Sequence, residues 1–455
     1  MTEPRRCAVR RQALSLVAGL AWACLAASAE AQEQPAPDQS PPPKEPYALH
    51  WQSTFVDQFH PAFPSPYQGA NSLSPFADGR ETWDLTIYNG LRPWAGAEFW
   101  IAPELDQGFG LNGTFGVAGF PSGEAYKIGK STPYVRLQRI FLRQTIDLGG
   151  GEQNVDSGLF QLAGKVSQNR LVFTVGKFSV PDIFDANDYA HDPRNDFLNW
   201  SIIDTGTFDY AADAWGYSVG GAAEWYQGNW TLRGAVMDLS DVPNSPTLTS
   251  NFSQFQLIGE GERRWSAGGL AGAVRITGYW GRARMGKFDA AIALAQIDGG
   301  VPSTAFVRQY RSRGGFGLNA QQALTRDLGL FVRAGVTNGD IEPYEFTDID
   351  RTAAVGLSMR GRSWGRPDDA IGLAGVINGI TAIHELYFAD GGLGTLIGDG
   401  QLPHPGTERI LETFYSVPVG KHAHMTLDYQ FVDNPAYNRD RGPVSILAAR
   451  IHAQF

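Results

Sequence analysis

Thiols are the first thing missing. The 455-residue chain has two cysteines, Cys7 and Cys24, and both lie within a leader that ends at residue 31. The rest therefore has no disulfide, no thiolate metal knuckle and no cysteine nucleophile. Beyond the leader there is also no apolar run approaching the ~20 residues of a membrane-spanning helix, which excludes a helical membrane protein. Basic charge is scarce: 37 Lys and Arg stand against 47 Asp and Glu, and no basic stripe of the kind that holds nucleic acid is present. No repeat of fixed period and no Walker loop occur. Three enzyme-like strings fail on context. Gly216-Tyr217-Ser218-Val219-Gly220 runs into another β-like stretch instead of the helix a nucleophile elbow needs. Gly108 to Gly113 lacks a strand-helix-strand setting for a dinucleotide. His384-Glu385 is followed by Phe388 where a second zinc ligand would stand.

The leader itself is informative. Arg5, Arg6, Arg10 and Arg11 form a basic front, residues 13–27 are apolar, and Ala29-Glu30-Ala31 is a small-x-small site, so a signal peptide over 1–31 is expected, cut between Ala31 and Gln32. The apolar stretch is too short for an anchor, and bulky Trp22 just ahead of Cys24 argues against lipidation. Export removes four basic and two acidic residues, so the mature formal charge is −12, against −10 for the whole chain. Residues 32–46 carry Pro35, Pro37, Pro41, Pro42, Pro43 and Pro46 among polar residues and read as an extended periplasmic tether. From Tyr47 to Phe455 no second shift in composition appears, so one domain is expected over 47–455.

What is abundant is glycine, 54 residues, and aromatics, 12% of the chain, arranged with period two. Ala423, Met425, Leu427, Tyr429 and Phe431 alternate with His424, Thr426, Asp428 and Gln430. Leu447, Ala449, Ile451, Ala453 and Phe455 alternate with Ala448, Arg450, His452 and Gln454. Trp83, Leu85 and Ile87 alternate with Asp84, Thr86 and Tyr88, and Trp230, Leu232 and Val236 with Thr231 and Arg233. Fainter alternation runs near 134–148, 170–178, 213–226, 270–280, 314–324, 328–337, 350–360 and 408–417. The chain is all-β. Alternation fits both a soluble sheet with one wet face and a transmembrane antiparallel β-barrel. Export, charges confined to one row in the two C-terminal segments, and outward rows ending in aromatics favour the barrel, with about 16 strands at roughly 26 residues each.

Several stretches resemble the carbohydrate-selective outer-membrane porin family (OprB-type): SPYQGANSL at 65–73, FWIAPELDQGFGLNGTFGVAGFPSGEAYKIG at 99–129, RIFLRQTIDLGG at 139–150, GKFSVPDIFDANDYAHDPRNDFLNW at 176–200, DDAIGLAGVING at 368–379, and the closing block from GTERILETFYSVPVGKHAHMTLDYQFV at 406–432 to Phe455. Their order and number make the resemblance specific, and it covers most of the mature chain. It implies a 16-stranded barrel with inward-folded loops that narrow the channel, passive uptake of monosaccharides or similar small sugar solutes, and outer-membrane lipid as surroundings. Ile451, Ala453 and Phe455 look like the signal read by the barrel assembly machinery. No cofactor, metal or nucleic-acid partner is implied, nor enzymatic activity. A homotrimer and a monomer both stay open.

A sugar-selective narrow zone should combine hydrogen-bonding side chains with aromatic platforms. Arg139, Arg143 and Asp147 share odd parity, hence one face, and with neighbouring Arg136 are expected to line the lumen, where they could equally brace the wall as ion pairs. In the polar segment 182–200, Asp196, Asn199 and Trp200 are pore candidates, Trp200 as a stacking platform beside the Asn199 amide. A girdle tryptophan is the alternative. The carboxylates there invite Ca²⁺, but the spacing fits no EF-hand, since Ala190 sits where the loop glycine belongs. Other functions open at this point are a porin for a different small solute, such as an organic acid, and an exported soluble glycan-binding β-domain.

Overall fold

The computed structural model describes residues 44–455. The signal peptide, its cleavage between Ala31 and Gln32, and the tether up to residue 43 lie outside the described residues. The strands are β1 (Tyr47–His60), β2 (Asp78–Leu91), β3 (Ala97–Gly108), β4 (Lys130–Asp147), β5 (Glu152–Val155), β6 (Gly164–Ser167), β7 (Arg170–Phe178), β8 (Ser218–Gln227), β9 (Trp230–Asp238), β10 (Phe255–Ala267), β11 (Leu270–Met285), β12 (Gln309–Ala323), β13 (Leu328–Thr337), β14 (Arg351–Gly361), β15 (Arg366–Gly379), β16 (Glu408–Val419), β17 (Ala423–Asp433) and β18 (Val444–Gln454). All but β5 and β6 close into one antiparallel barrel of 16 strands, while β5 and β6 form a separate hairpin. Closure is made by β1 on β18, from Gln52 opposite Gln454 to Phe59 opposite Leu447. Trp51 and Phe455 then exchange two backbone hydrogen bonds of 2.9 Å. A closed sheet leaves no edge, so the backbone is satisfied even in hydrocarbon.

The two rows of each strand meet different surroundings. On β17 Leu427 is 60% exposed on the outer surface, whereas Gln430 is fully buried inside. Outward aromatics mark both rims: Trp51, Trp225, Trp230 and Phe455 at one end, Phe59, Trp280 and Phe431 at the other, as expected of interfacial girdles. Outward charges occur near the second rim, where Arg409 pairs with Asp433 at 2.7 Å and Asp57 lies opposite Glu81. The inner row is laced by ion pairs. Arg233 on β9 reaches Glu224 (3.1 Å), Glu260 (2.7 Å) and Glu262 (2.9 Å), and Arg275 joins Glu262 at 3.0 Å.

Both described chain ends lie at the rim where most connections are two to five residues long, while connections at the opposite rim run from 10 to 39 residues. In outer-membrane barrels short turns are periplasmic and long loops extracellular. Loops 109–129 and 179–217 fold into the barrel and meet there. Trp200 stacks on Phe120 at 5.3 Å and 5°, with Phe346 and Tyr210 against its other sides. Wall side chains hold the loops from below. Glu412 accepts from the backbone N–H groups of Leu198 and Asn199, and Glu408 from those of Ala118, Gly119 and Ala436.

Candidate functional site

The site is built where the two loops press against the inner faces of β2, β3 and β4. Register places Thr86 opposite Glu104 and Asp84 opposite Asp106, so alternate inward positions stack three carboxylates on one patch of wall. Loop 109–129 adds Glu124 and Tyr126; loop 179–217 adds Arg194. Glu104 accepts from Thr86 (2.6 Å) and from the Tyr126 hydroxyl. Arg194 reaches Glu124 at 3.1 Å and Asp84 at 4.0 Å. Burial lifts the Glu124 carboxyl above the ordinary range, with Arg194 opposing. Both oxygens of Asp84, both of Asp106 and both polar atoms of Gln138 are buried and make no hydrogen bond among the described residues.

A bulge in β4 decides which arginines join. Ala102 pairs with Arg139 but Pro103 with Leu137, leaving Gln138 as an extra residue across from a proline that has no N–H to give the ladder. The phase flips there. Arg136 and Gln138 face inward before the bulge, and Arg139 and Arg143 after it, so simple parity wrongly separates Arg136 from the others. Arg139 grips Asp182 with two bonds of 2.8 and 2.7 Å, and Arg136 stacks 3.4 Å from the Trp215 ring and lies 3.4 Å from Asp213.

The remaining sequence candidates scatter. Asp147 shares a face with Arg139 but is eight residues further along, about 27 Å of strand. It sits exposed at the turn rim and accepts from the Gly149 N–H at 2.6 Å, outside the narrow zone. Arg143 faces a separate chamber below the constriction. Asp196 is engaged by the N–H groups of His191 and Asp192, both at 3.1 Å. Asn199 caps the short helix Trp200–Ile203 and bonds Gly119 (2.8 Å) and Gln430 (3.0 Å). Trp200 has only 3% of its surface free. The expected platform is corrected accordingly: Asn199 and Trp200 clamp one loop to the other, because the apolar ring finds Phe120 and Phe346 before any solute. Asp84, Glu104, Asp106, Glu124 and Gln138 were not singled out. Alternation did put Asp84 on the inner row, but the meeting of that row with loop 109–129 has no local signature.

A pH response is built into the second loop. His191 lies 3.4 Å from Asp204. Burial disfavours its imidazolium, yet the adjoining Asp204 carboxylate outweighs burial and holds His191 up to about 9. A raised value means the link is complete below the unfolded value of ~6.5 and fades as pH climbs through about 9. Single-channel current noise is therefore expected to increase between pH 8 and 10, and His191→Gln should flatten that rise; identical noise profiles in both proteins would remove the link.

A closed 16-stranded barrel with a hydrocarbon-facing exterior, a charged interior and loops folded into the lumen defines an outer-membrane porin. The profile of the carbohydrate-selective porin family OprB matches residues 70–455, and the chain belongs to that family. It is an outer-membrane channel for carbohydrates. Among solved structures it is similar to Pseudomonas putida OprB in its high-pH form, with 16% identity, 90% of this chain and 94% of that one covered, and a TM-score of 0.66. The low-pH form gives 13% identity, 90% and 93% coverage and a TM-score of 0.50. These likenesses concern the fold. No curated protein matches the sequence.

Proposed function

We propose that the channel conducts small neutral sugars of monosaccharide size by passive diffusion, with selection at the acidic patch of Asp84, Glu104, Asp106 and Glu124 and without chemistry on the solute. The observation that carries this reading is the set of polar atoms on Asp84, Asp106 and Gln138 that make no hydrogen bond among the described residues. Buried polar groups left bare are costly, so the zone gains from any shift of loop 109–129 that lets water or a polyol hydroxyl reach them. The Glu104 carboxylate, held by the Thr86 and Tyr126 hydroxyls, also disfavours organic-acid anions. One carboxylate at ~6 Å and an effective dielectric of ~40 contributes about 1.4 kcal/mol, or about tenfold. Arg136 and Arg139 brace this zone through Asp213 and Asp182. We further assign Ile451, Ala453 and Phe455 at the turn rim as the segment read by the assembly machinery, and residues 1–31 as the signal that delivers the chain to it.

Planar-bilayer recordings test the selection. Hexoses should interrupt the ionic current and small dicarboxylates should not, and Glu104→Gln should raise dicarboxylate permeation about tenfold relative to hexose. Equal entry of both solute classes in the unaltered protein would defeat the neutral-sugar assignment.

A further inference from the structure

We propose that the channel has a second carbohydrate-binding station on the periplasmic side of the loop constriction, a chamber walled by the hairpin of residues 148–169 and presenting Phe160 and Arg143 to the sugar. It rests on the carbohydrate reading of the channel but not on the constriction residues.

The hairpin breaks the pattern of its rim. Six other connections there have two to five residues; this one has 22 and carries β5 and β6. It folds back into the barrel. The Phe160 ring lies 4.7 Å from Tyr88, 5.6 Å from Trp100 and 5.4 Å from Phe141, and the Arg139 guanidinium is 5.1 Å from it. Phe160 has φ of 54°, a backbone region that bulky residues seldom adopt and that persists only when the surroundings enforce it. Reciprocal hydrogen bonds between Gly158 and Gln161 (2.9 and 3.1 Å) pinch the tip. At the mouth, Glu45 accepts from Ser157 (2.7 Å) and from the Ala163 N–H (2.8 Å), which ties the hairpin to the start of β1.

Between hairpin, wall and loop 179–217 lies a cavity of about 440 Å³, within the ~300–1,000 Å³ usual for small-molecule sites. Its lining mixes the rings of Phe141 and Phe160 with Arg143 and Asp182. Arg143 directs one nitrogen, Nη1, at both the Phe160 carbonyl (2.7 Å) and the Glu98 carboxylate (3.5 Å), leaving donors on Nε and Nη2. Thr174 stands directly across from Arg143 in the β4–β7 register, and its hydroxyl is buried without a partner among the described residues. An apolar ring, a free guanidinium edge and an unsatisfied hydroxyl are complementary to a pyranose, which offers a C–H face and a rim of hydroxyls. The chamber does not belong to the constriction: Asp84, Asp106 and Glu124 are not among its lining residues.

Single-channel recording with glucose added to one side at a time is the test. In the unaltered protein, sugar from the turn side should produce current interruptions whose dwell time shortens about three- to tenfold in Phe160→Ala, the range of an aromatic contact, and returns in Phe160→Tyr. Should Phe160→Ala fail to assemble, Thr174→Val keeps the wall's shape and should shorten turn-side dwell about two- to tenfold through loss of one hydrogen bond. Turn-side dwell times unchanged in both variants overturn the second station and leave the carbohydrate reading intact. Absence of any sugar-induced interruption from either side in the unaltered protein overturns both.

Discussion

Arg333→Met is expected to loosen the channel while leaving its barrel closed. Arg333, on β13, is fully buried and holds loop 179–217 at three points: Nη1 donates to the carbonyls of Ala190 (2.7 Å) and Ile202 (2.9 Å), and Nη2 to that of Asp185 (3.0 Å). Its Nε lies 3.5 Å from the Asp185 carboxylate. Asp185 is itself a node, accepting from Thr205 and Asn319 at a φ of 57°. Methionine fills similar space but strands a buried carboxylate and three carbonyls, and breaking a buried pair from one side costs about 3–5 kcal/mol. The barrel ladder is untouched, so that penalty falls on the loop. Mean conductance should rise and fluctuate more, while the folded band on a gel run without heating persists. A conductance indistinguishable from the unaltered channel would show that Glu412 and Glu408 hold the loops unaided.

A charge placed on the other side of the wall should act on assembly instead. Leu427 lies on the outer row of β17, between Tyr415 and Ala449 on its neighbours. Leu427→Arg at that depth should destabilise the inserted barrel by about 2–4 kcal/mol, read as a shift of the urea midpoint in lipid vesicles, whereas Leu427→Met should be close to neutral. Equal midpoints for the arginine variant and the parent would mean that this row does not face hydrocarbon.

Alternation was easiest to read where the lumen row is wet. On β17 and β18 the inner positions Thr426, Asp428, Gln430, Arg450 and His452 contrast with leucine, isoleucine and aromatics outside, and both strands were legible nearly end to end. Four strands of the barrel escaped. On β3 the inner row carries Trp100 and Ala102, both fully buried, because the hairpin tip packs on it. From Phe99 to Pro103 both faces are then apolar and the contrast vanishes. On β10 Gly259 and Gly261 occupy outer positions and mute the lipid-facing row. On β1 Ser53 and Asp57 interrupt the outer row while Val56 interrupts the inner one, and on β15 Ala374 and Val376 face inward against loop residues. Family resemblance covered parts of β3 and β15 that periodicity could not.

The candidate site divides the same way. An arginine on a strand in lipid must turn inward, so Arg139 and Arg143 were identifiable from the solvent requirement alone. Their division between a constriction and a chamber was not, nor was the recruitment of Arg136 by the bulge at Gln138. Asp147 and Trp200 were misplaced because depth along a strand and contacts between loops leave no mark on a two-residue period.

Local pattern was therefore enough for an all-β chain and for which side of most strands carries the apolar row, since each depends on composition or on the pleat acting within ten residues. Packing decided which loops fill the barrel and which wall residues they meet. Asn199 bonds Gln430 from 231 positions away, and Leu198 bonds Glu412 from 214. Partners so distant are chosen by barrel closure and by how the loops fill its interior, and no neighbouring residue in the chain encodes that choice.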